Sequence, residues 1–287
     1  MAAVTNPSVA VAAPRVARTT KRPSGPVRWV RERIIPIIGS LVLFYMFLPI
    51  FVVILFSFNL PNGRFNYKWV QFSTQAWTNL CAPGGMCEAL QLSLLIGVLA
   101  TLGAVILGTL VAFAIGRHRF RGRSATNLLI FMPMATPEVV MGSSLLTLFV
   151  ALSFARGLPT ILIAHIMFCL SFVVVTVKAR IAGLDPRLEQ AAMDLYADER
   201  TAFWKITFPL VLPGIVGAAL LAFSLSFDDF IVTNFNSGST VTFPMYVWGA
   251  AQRGTPPQIN VVGSLMFLVS LTIVLVAQVV QRRRAKA

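Results

Sequence analysis

The chain has 287 residues, of which 56% are hydrophobic and 12% charged, with a formal net charge of +14 and a mean hydropathy of +0.77. This composition excludes a soluble globular domain, because uncharged apolar runs of about 20 residues recur and a bilayer core requires about that length. Nor does the positive charge indicate nucleic acid, since the basic residues are spread from loop to loop without a single patch or aromatic interleaving.

Residues 1–33 mix Ala, Val, Pro and Arg with no apolar run before Ile34. They are expected to be a disordered basic cytoplasmic tail, because a cleaved signal peptide needs a hydrophobic core and a cleavage site. Arg28, Arg31 and Arg33 abut a first span, Ile34 to Phe58, and a loop from Asn59 to Glu88 follows. That loop contains CAPGGMC, in which Cys81 and Cys87 could close a small disulfide in an oxidising compartment or stay free thiols. It contains no His, so no metal site is expected there. The second span, Ala89 to Ile115, carries Gly97, Gly103 and Gly108, small residues that permit close helix contact, and ends at Arg117, Arg119, Arg121 and Arg123. A third span, from about Leu128 to Phe154, is broken by Pro133 and Pro137, and a fourth runs from Leu158 to Val177, where Cys169 reads as core packing.

A polar interruption then extends from Leu184 to Gly214 and carries five of the ten acidic residues. Asp185 can cap and Pro186 can open a short helix, Arg187 to Leu195, with Leu188, Ala191, Ala192 and Leu195 on one face. Asp198 can start a second short helix ending before Pro209. A fifth span runs from Leu210 to about Thr233 and a sixth from Val261 to Val280, before Arg282, Arg283, Arg284 and Lys286. The expected architecture is therefore an all-α membrane protein with a six-helix domain over residues 34–281 and a basic C-terminus over 282–287. With both termini cytoplasmic, twenty of the twenty-four Lys and Arg lie inside, leaving only Arg64, Lys68, Arg156 and Arg253 outside. That asymmetry predicts the orientation.

The interruption resembles the cytoplasmic loop of ABC importer permease subunits, whose pattern is Glu-Ala-Ala, three residues, Gly, nine residues, Ile-x-Leu-Pro. Gln190, Ala191 and Ala192 fall on the triplet, Tyr196 on the glycine, Ile206 on the isoleucine, and Phe208 and Pro209 on the Leu-Pro. Glu189, one place early, could supply the missing carboxylate. If the glycine position needs positive φ, a tyrosine there is strained by roughly 1 kcal/mol or more, so the turn is expected to differ locally. The resemblance implies the type I importer permease fold, with residues 184–209 as a loop that couples to an ATPase.

Charges within apolar spans mark partners or paths. Glu138 follows Pro137 about ten residues into the third span, which puts it roughly 15 Å along a straight helix, near the midplane. Asp228 and Asp229 lie about eighteen residues past Leu210, roughly 27 Å along the fifth span. The three form an acidic set suited to a cationic solute, with Phe227 and Phe230 nearby to contact methylenes or ammonium groups. Read otherwise, Asp228 and Asp229 cap the following loop, and Glu138 is protonated or paired with another subunit.

SLSFDDFIVTNFNSG, TFPMYVWGAAQRGTPPQIN and MATPEVVMGSSLL look like segments of the second permease subunit of spermidine/putrescine importers. This resemblance implies a polyamine importer of the cell inner membrane, with a second homologous permease, two cytoplasmic ATPase subunits and an external substrate-binding protein. The chain lacks a Gly-x-x-x-x-Gly-Lys-Ser/Thr loop, so ATP and Mg are expected on the partner ATPase and no cofactor or catalytic residue on this chain. Two other classes compete. Gly142, Ser143, Ser144 and His165 could build an intramembrane serine protease, and an ion-coupled secondary carrier could use the same three carboxylates.

Overall fold

The computed structural model describes residues 26–118 and 120–284. They form twelve helices: α1 (Pro26–Phe56), α2 (Gln75–Thr78), α3 (Met86–Arg117), α4 (Arg123–Ala135), α5 (Glu138–Ala151), α6 (Leu158–Ala182), α7 (Arg187–Asp194), α8 (Glu199–Ala202), α9 (Phe208–Asp228), α10 (Ile231–Asn236), α11 (Phe243–Arg253) and α12 (Pro257–Arg284). A π turn, Phe203–Thr207, joins α8 to α9. Five helical segments are long and apolar enough to cross a bilayer, or six if α4 and α5, bent by 106°, count as one broken span. The basic tail expected over residues 1–33 is helical from Pro26, and residues 1–25 and 285–287 lie outside the described residues.

By its internal contacts the chain separates into two units, residues 1–52 and 53–287. The described part of the first belongs to α1, whose apolar side chains, Ile35 and Tyr45 among them, are largely exposed. The core of the second unit is α6, packed against α3 and α9. On α3 the buried positions Ala89, Ser93, Ile96, Ala100, Ala104, Gly108, Ala112 and Ile115 recur at three- and four-residue spacing, a narrow stripe of mostly small side chains. This stripe lets backbones approach where apolar side chains gain nothing over lipid contact. At Gly108 a Cβ would stand 2.7 Å from Val173 Cγ1 and 2.9 Å from Val173 Cβ, so α3 and α6 are as close as glycine allows.

Three elements differ from the sequence expectation. The fifth span does not reach Thr233: α9 ends at Asp228, Asp229 is extended, and α10 restarts at Ile231. The helix begun at Asp198 does not stop before Pro209 either, and continues through the π turn as one helix to Asp228. Pro209 would crowd the carbonyl of Lys205, four residues earlier, and the wider π turn holds that residue. The third span breaks at Thr136–Pro137 alone, since α4 continues through Pro133, and the bend removes the straight-helix count that put Glu138 near the midplane.

Gly108→Ala is expected to destabilise the purified protein by about 1–3 kcal/mol through overpacking against Val173. Gly217→Ala, on an exposed stretch of α9 with open space around the glycine, should be neutral or slightly stabilising. Thermal unfolding of both variants in detergent checks the contrast, and equal losses would refute the packing account.

Candidate functional site: an acidic aromatic cavity and a polar clamp

The break between α9 and α10 presents two adjacent carboxylates to different surroundings. Asp229 turns into the core, its side chain 5% exposed. It accepts hydrogen bonds from the backbone N–H of Val232 at 3.3 Å and of Thr233 at 2.7 Å, capping the first turn of α10, and from the Thr233 hydroxyl at 2.7 Å. His165 on α6, 2% exposed, brings Nε2 to 3.3 Å from Asp229 and 2.9 Å from Thr233 Oγ1, while its Nδ1 lies 2.7 Å from Ser226 Oγ. A carboxylate only accepts, and the Thr233 hydroxyl already donates to Asp229, so Nε2 carries a proton. Every polar group of this buried cluster thus has a partner, as an apolar bundle requires.

Asp228 is exposed and has no side-chain partner among the described residues. It lines an open cavity of about 400 Å³ with Phe227, Phe230, Phe243, Val247 and Trp248. The Phe230 and Trp248 ring centroids lie 5.3 Å apart, and those of Phe227 and Phe243 6.3 Å apart with the rings stacked. Among the described residues, no Lys or Arg lines the cavity. Carboxylate and ring faces together form a receptor for an ammonium group attached to an apolar stem.

Of the expected path residues, the structure gathers Asp228, Phe227 and Phe230. Asp229 departs from the expectation of a foothold, because its oxygens are engaged in the cap and the His165 cluster. Glu138, the first residue of α5, is exposed at the bend and lines no part of the Asp228 cavity. Phe243 and Trp248 on α11 were missed. The spacing of Phe243, Val247, Trp248 and Ala251 marks one helical face and could have revealed them.

At the other end of the helices the Glu189 carboxylate pairs with the Arg117 guanidinium of α3 and accepts from the Thr207 hydroxyl at the head of α9. Arg117 also donates to Thr207 Oγ1 at 3.1 Å, and its guanidinium carbon lies 5.6 Å and 5.7 Å from the Phe113 and Phe203 ring centroids. This clamp ties α7 to both α3 and α9. Asp185 accepts from Arg187 N at 2.9 Å and Asp198 from Thr201 N at 3.3 Å, so both expected capping side chains hold helix starts. The hydrogen bond from Thr201 keeps the Asp198 carboxyl below the usual aspartate range. Ala192 is buried, while Gln190, Ala191, Leu195 and Pro209 are exposed and Ile206 half-buried. Tyr196 is fully exposed at φ +64°, so the turn does not differ locally as expected: the tyrosine adopts the left-handed backbone a glycine would take. Cys81 and Cys87 are joined, with their Cα atoms 5.4 Å apart, beside the buried Met86 at the start of α3.

The structure does not favour the serine-protease alternative, because His165 is not paired with Ser143. Both ring nitrogens of His165 are taken within the buried cluster, and the Ser143 hydroxyl donates to the Val140 carbonyl at 3.1 Å.

Residues 104–286 match the family described as binding-protein-dependent transport system inner membrane component. The chain belongs to this family. It is 36% identical over 243 residues to the spermidine/putrescine transport system permease protein PotC of Escherichia coli (strain K12), covering 84% of this chain and 91% of that protein. It is 37% identical over 230 residues to the putrescine transport system permease protein PotI of the same strain, covering 77% and 81%. Among solved structures, a bacterial ABC transporter involved in import of the acidic polysaccharide alginate superposes with a TM-score of 0.64 at 16% identity, covering 91% of this chain and 99% of that chain. A bacterial alginate ABC transporter in complex with alginate pentasaccharide-bound periplasmic protein gives a TM-score of 0.64 at 16% identity, covering 90% of this chain and 96% of that chain. The permease thus has the type I ABC importer fold and is a multi-pass membrane protein. An ion-coupled carrier is not favoured by this membership.

Tyr196→Gly is expected to relieve about 1 kcal/mol of left-handed strain. Amide hydrogen exchange over residues 187–202 should slow by about fivefold, and unchanged exchange would mean that the exposed tyrosine is unstrained.

Proposed function

We propose that this permease forms, with a second homologous permease, the translocation path of an ATP-driven importer for polyamines such as spermidine and putrescine. The observation that carries the reading is Asp228 in an aromatic cavity that no basic side chain among the described residues lines. A polyamine offers ammonium groups for the carboxylate and ring faces, and methylene stems for Val247 and the rings, with each cation-π contact worth about 0.5–2 kcal/mol. The named function of the PotC and PotI relatives supports the same substrate class.

The distribution of Lys and Arg supports an orientation with both termini and α7 in the cytoplasm and the Asp228 cavity toward the outer face. An external binding protein would then deliver solute at the Asp228 end. One of two cytoplasmic ATPase subunits docks on α7, whose Leu188 and Ala191, with Leu195 just past its end, form an exposed apolar face. These subunits carry ATP and Mg, because this chain has no phosphate-cradling loop. ATPase closure displaces α7, and the Glu189–Arg117–Thr207 clamp passes that displacement to α3 and α9. Since α9 bears Asp228 at its far end, the cavity moves with the stroke, an alternating-access step between two packed states.

Asp228→Asn is expected to lower ATP-dependent uptake of labelled putrescine at least tenfold in vesicles holding the whole importer, with basal ATP hydrolysis within twofold of the parent. Tenfold corresponds to about 1.4 kcal/mol, well within one screened ion pair. Unchanged uptake would remove Asp228 from the path. Ala191→Trp should leave ATP hydrolysis running while uptake falls at least tenfold, and full uptake would remove α7 from the coupling.

A further inference from the structure

We propose that His165 is a positioning residue for solute recognition: with Ser226 it holds Asp229 in the core and thereby directs Asp228 into the aromatic cavity. The inference rests on the reading of Asp228 as the cation-binding carboxylate and assigns the device that selects it over its neighbour.

Local backbone alone does not decide which of two adjacent aspartates faces inward. Either carboxylate could cap α10 in registers one residue apart, and a one-residue change turns a helical side chain by about 100°. What distinguishes Asp229 is a fixed donor on another helix. His165 meets Ser226, in the last turn of α9, through Nδ1 at 2.7 Å, and meets Thr233 and Asp229, across the break, through Nε2 at 2.9 Å and 3.3 Å. One imidazole therefore ties the end of α9 to the start of α10 and sets the angle between them. The far end of α10 is held independently. The Thr160 hydroxyl donates to the Asn236 carbonyl at 2.8 Å, and the Asn236 amide donates to the Gly142 carbonyl at 3.3 Å. At Gly142 a Cβ would stand 2.9 Å from the Phe235 ring, so α5 closes on α10 with no room to spare. With α10 seated by these contacts and α9 by the core, His165 alone among the described side chains bridges the break. Losing its donor leaves a carboxylate in the core short of a partner, and the two residues re-sort between core and cavity.

The test uses the whole importer in vesicles with saturating binding protein, reading uptake of labelled putrescine per ATP hydrolysed. His165→Leu is expected to lower this ratio about tenfold, with basal ATP hydrolysis and membrane content within twofold. His165→Gln, which keeps an N–H donor near the Nε2 position, should stay within threefold of the parent. Combined with Asp228→Asn, His165→Leu should add less than twofold, because both changes disable the same contact. Ser226→Ala, which leaves the bonds of Asp229 intact and cuts only the tie to α9, should lower the ratio about threefold alone and not at all with Asp228→Asn. It serves as the measure if His165→Leu does not assemble. Multiplicative losses in the double variants, or unchanged uptake in the single ones, would overturn the positioning role while leaving Asp228 as the foothold. If Asp228→Asn itself leaves uptake unchanged, the functional reading falls and this inference falls with it.

Discussion

A carboxylate shut inside an apolar bundle must be supplied with donors, and that constraint organises this permease. At the end of α9 the chain carries two acids in succession where the core has donors for one. The buried ring of His165, the Thr233 hydroxyl and two backbone N–H groups satisfy Asp229, and the helix breaks so that they can. Asp228 is left facing the rings of α9, of the break itself and of α11 with its charge unanswered. The broken helix and the acidic cavity are two results of one hydrogen-bonding requirement.

The opposite end of the same helices follows a different logic. The Glu189, Arg117 and Thr207 cluster is only partly shielded, and pairs in such surroundings contribute about 1 kcal/mol or less to stability. Its importance is geometric. The guanidinium lies beside two phenyl rings and reaches both a carboxylate on α7 and a hydroxyl at the head of α9, which fixes where α7 sits without burying it. Leu188, Ala191 and Leu195 stay uncovered beside this clamp.

Much of the architecture was legible in the chain because bilayer-length apolar runs and their flanking arginines are coarse, additive signals. The caps at Asp185 and Asp198 were legible for a similar reason, since a short acid before a helix start acts through its immediate neighbours. What escaped depends on distant partners. Adjacent aspartates are indistinguishable by local pattern, and the side chain that separates them lies more than 60 positions away on α6. Pro209 read as a terminator because a proline ordinarily ends a helix, whereas a single wide turn ahead of it lets the helix pass. Tyr196 read as a departure from the glycine turn, yet the tyrosine itself takes the left-handed conformation. The face of α11 was hidden because its 11 residues are too few to register as a span.

The wide turn has a further consequence. Because α8 runs through it into α9, residues Glu199 to Asp228 form one continuous helix of 30 residues, about 45 Å of unbroken rod. A rod without slack transmits force in both directions. Under the proposed importer reading, binding at the Asp228 end and docking near the Glu199 end of this rod are coupled in both directions, because linkage between two binding events is reciprocal.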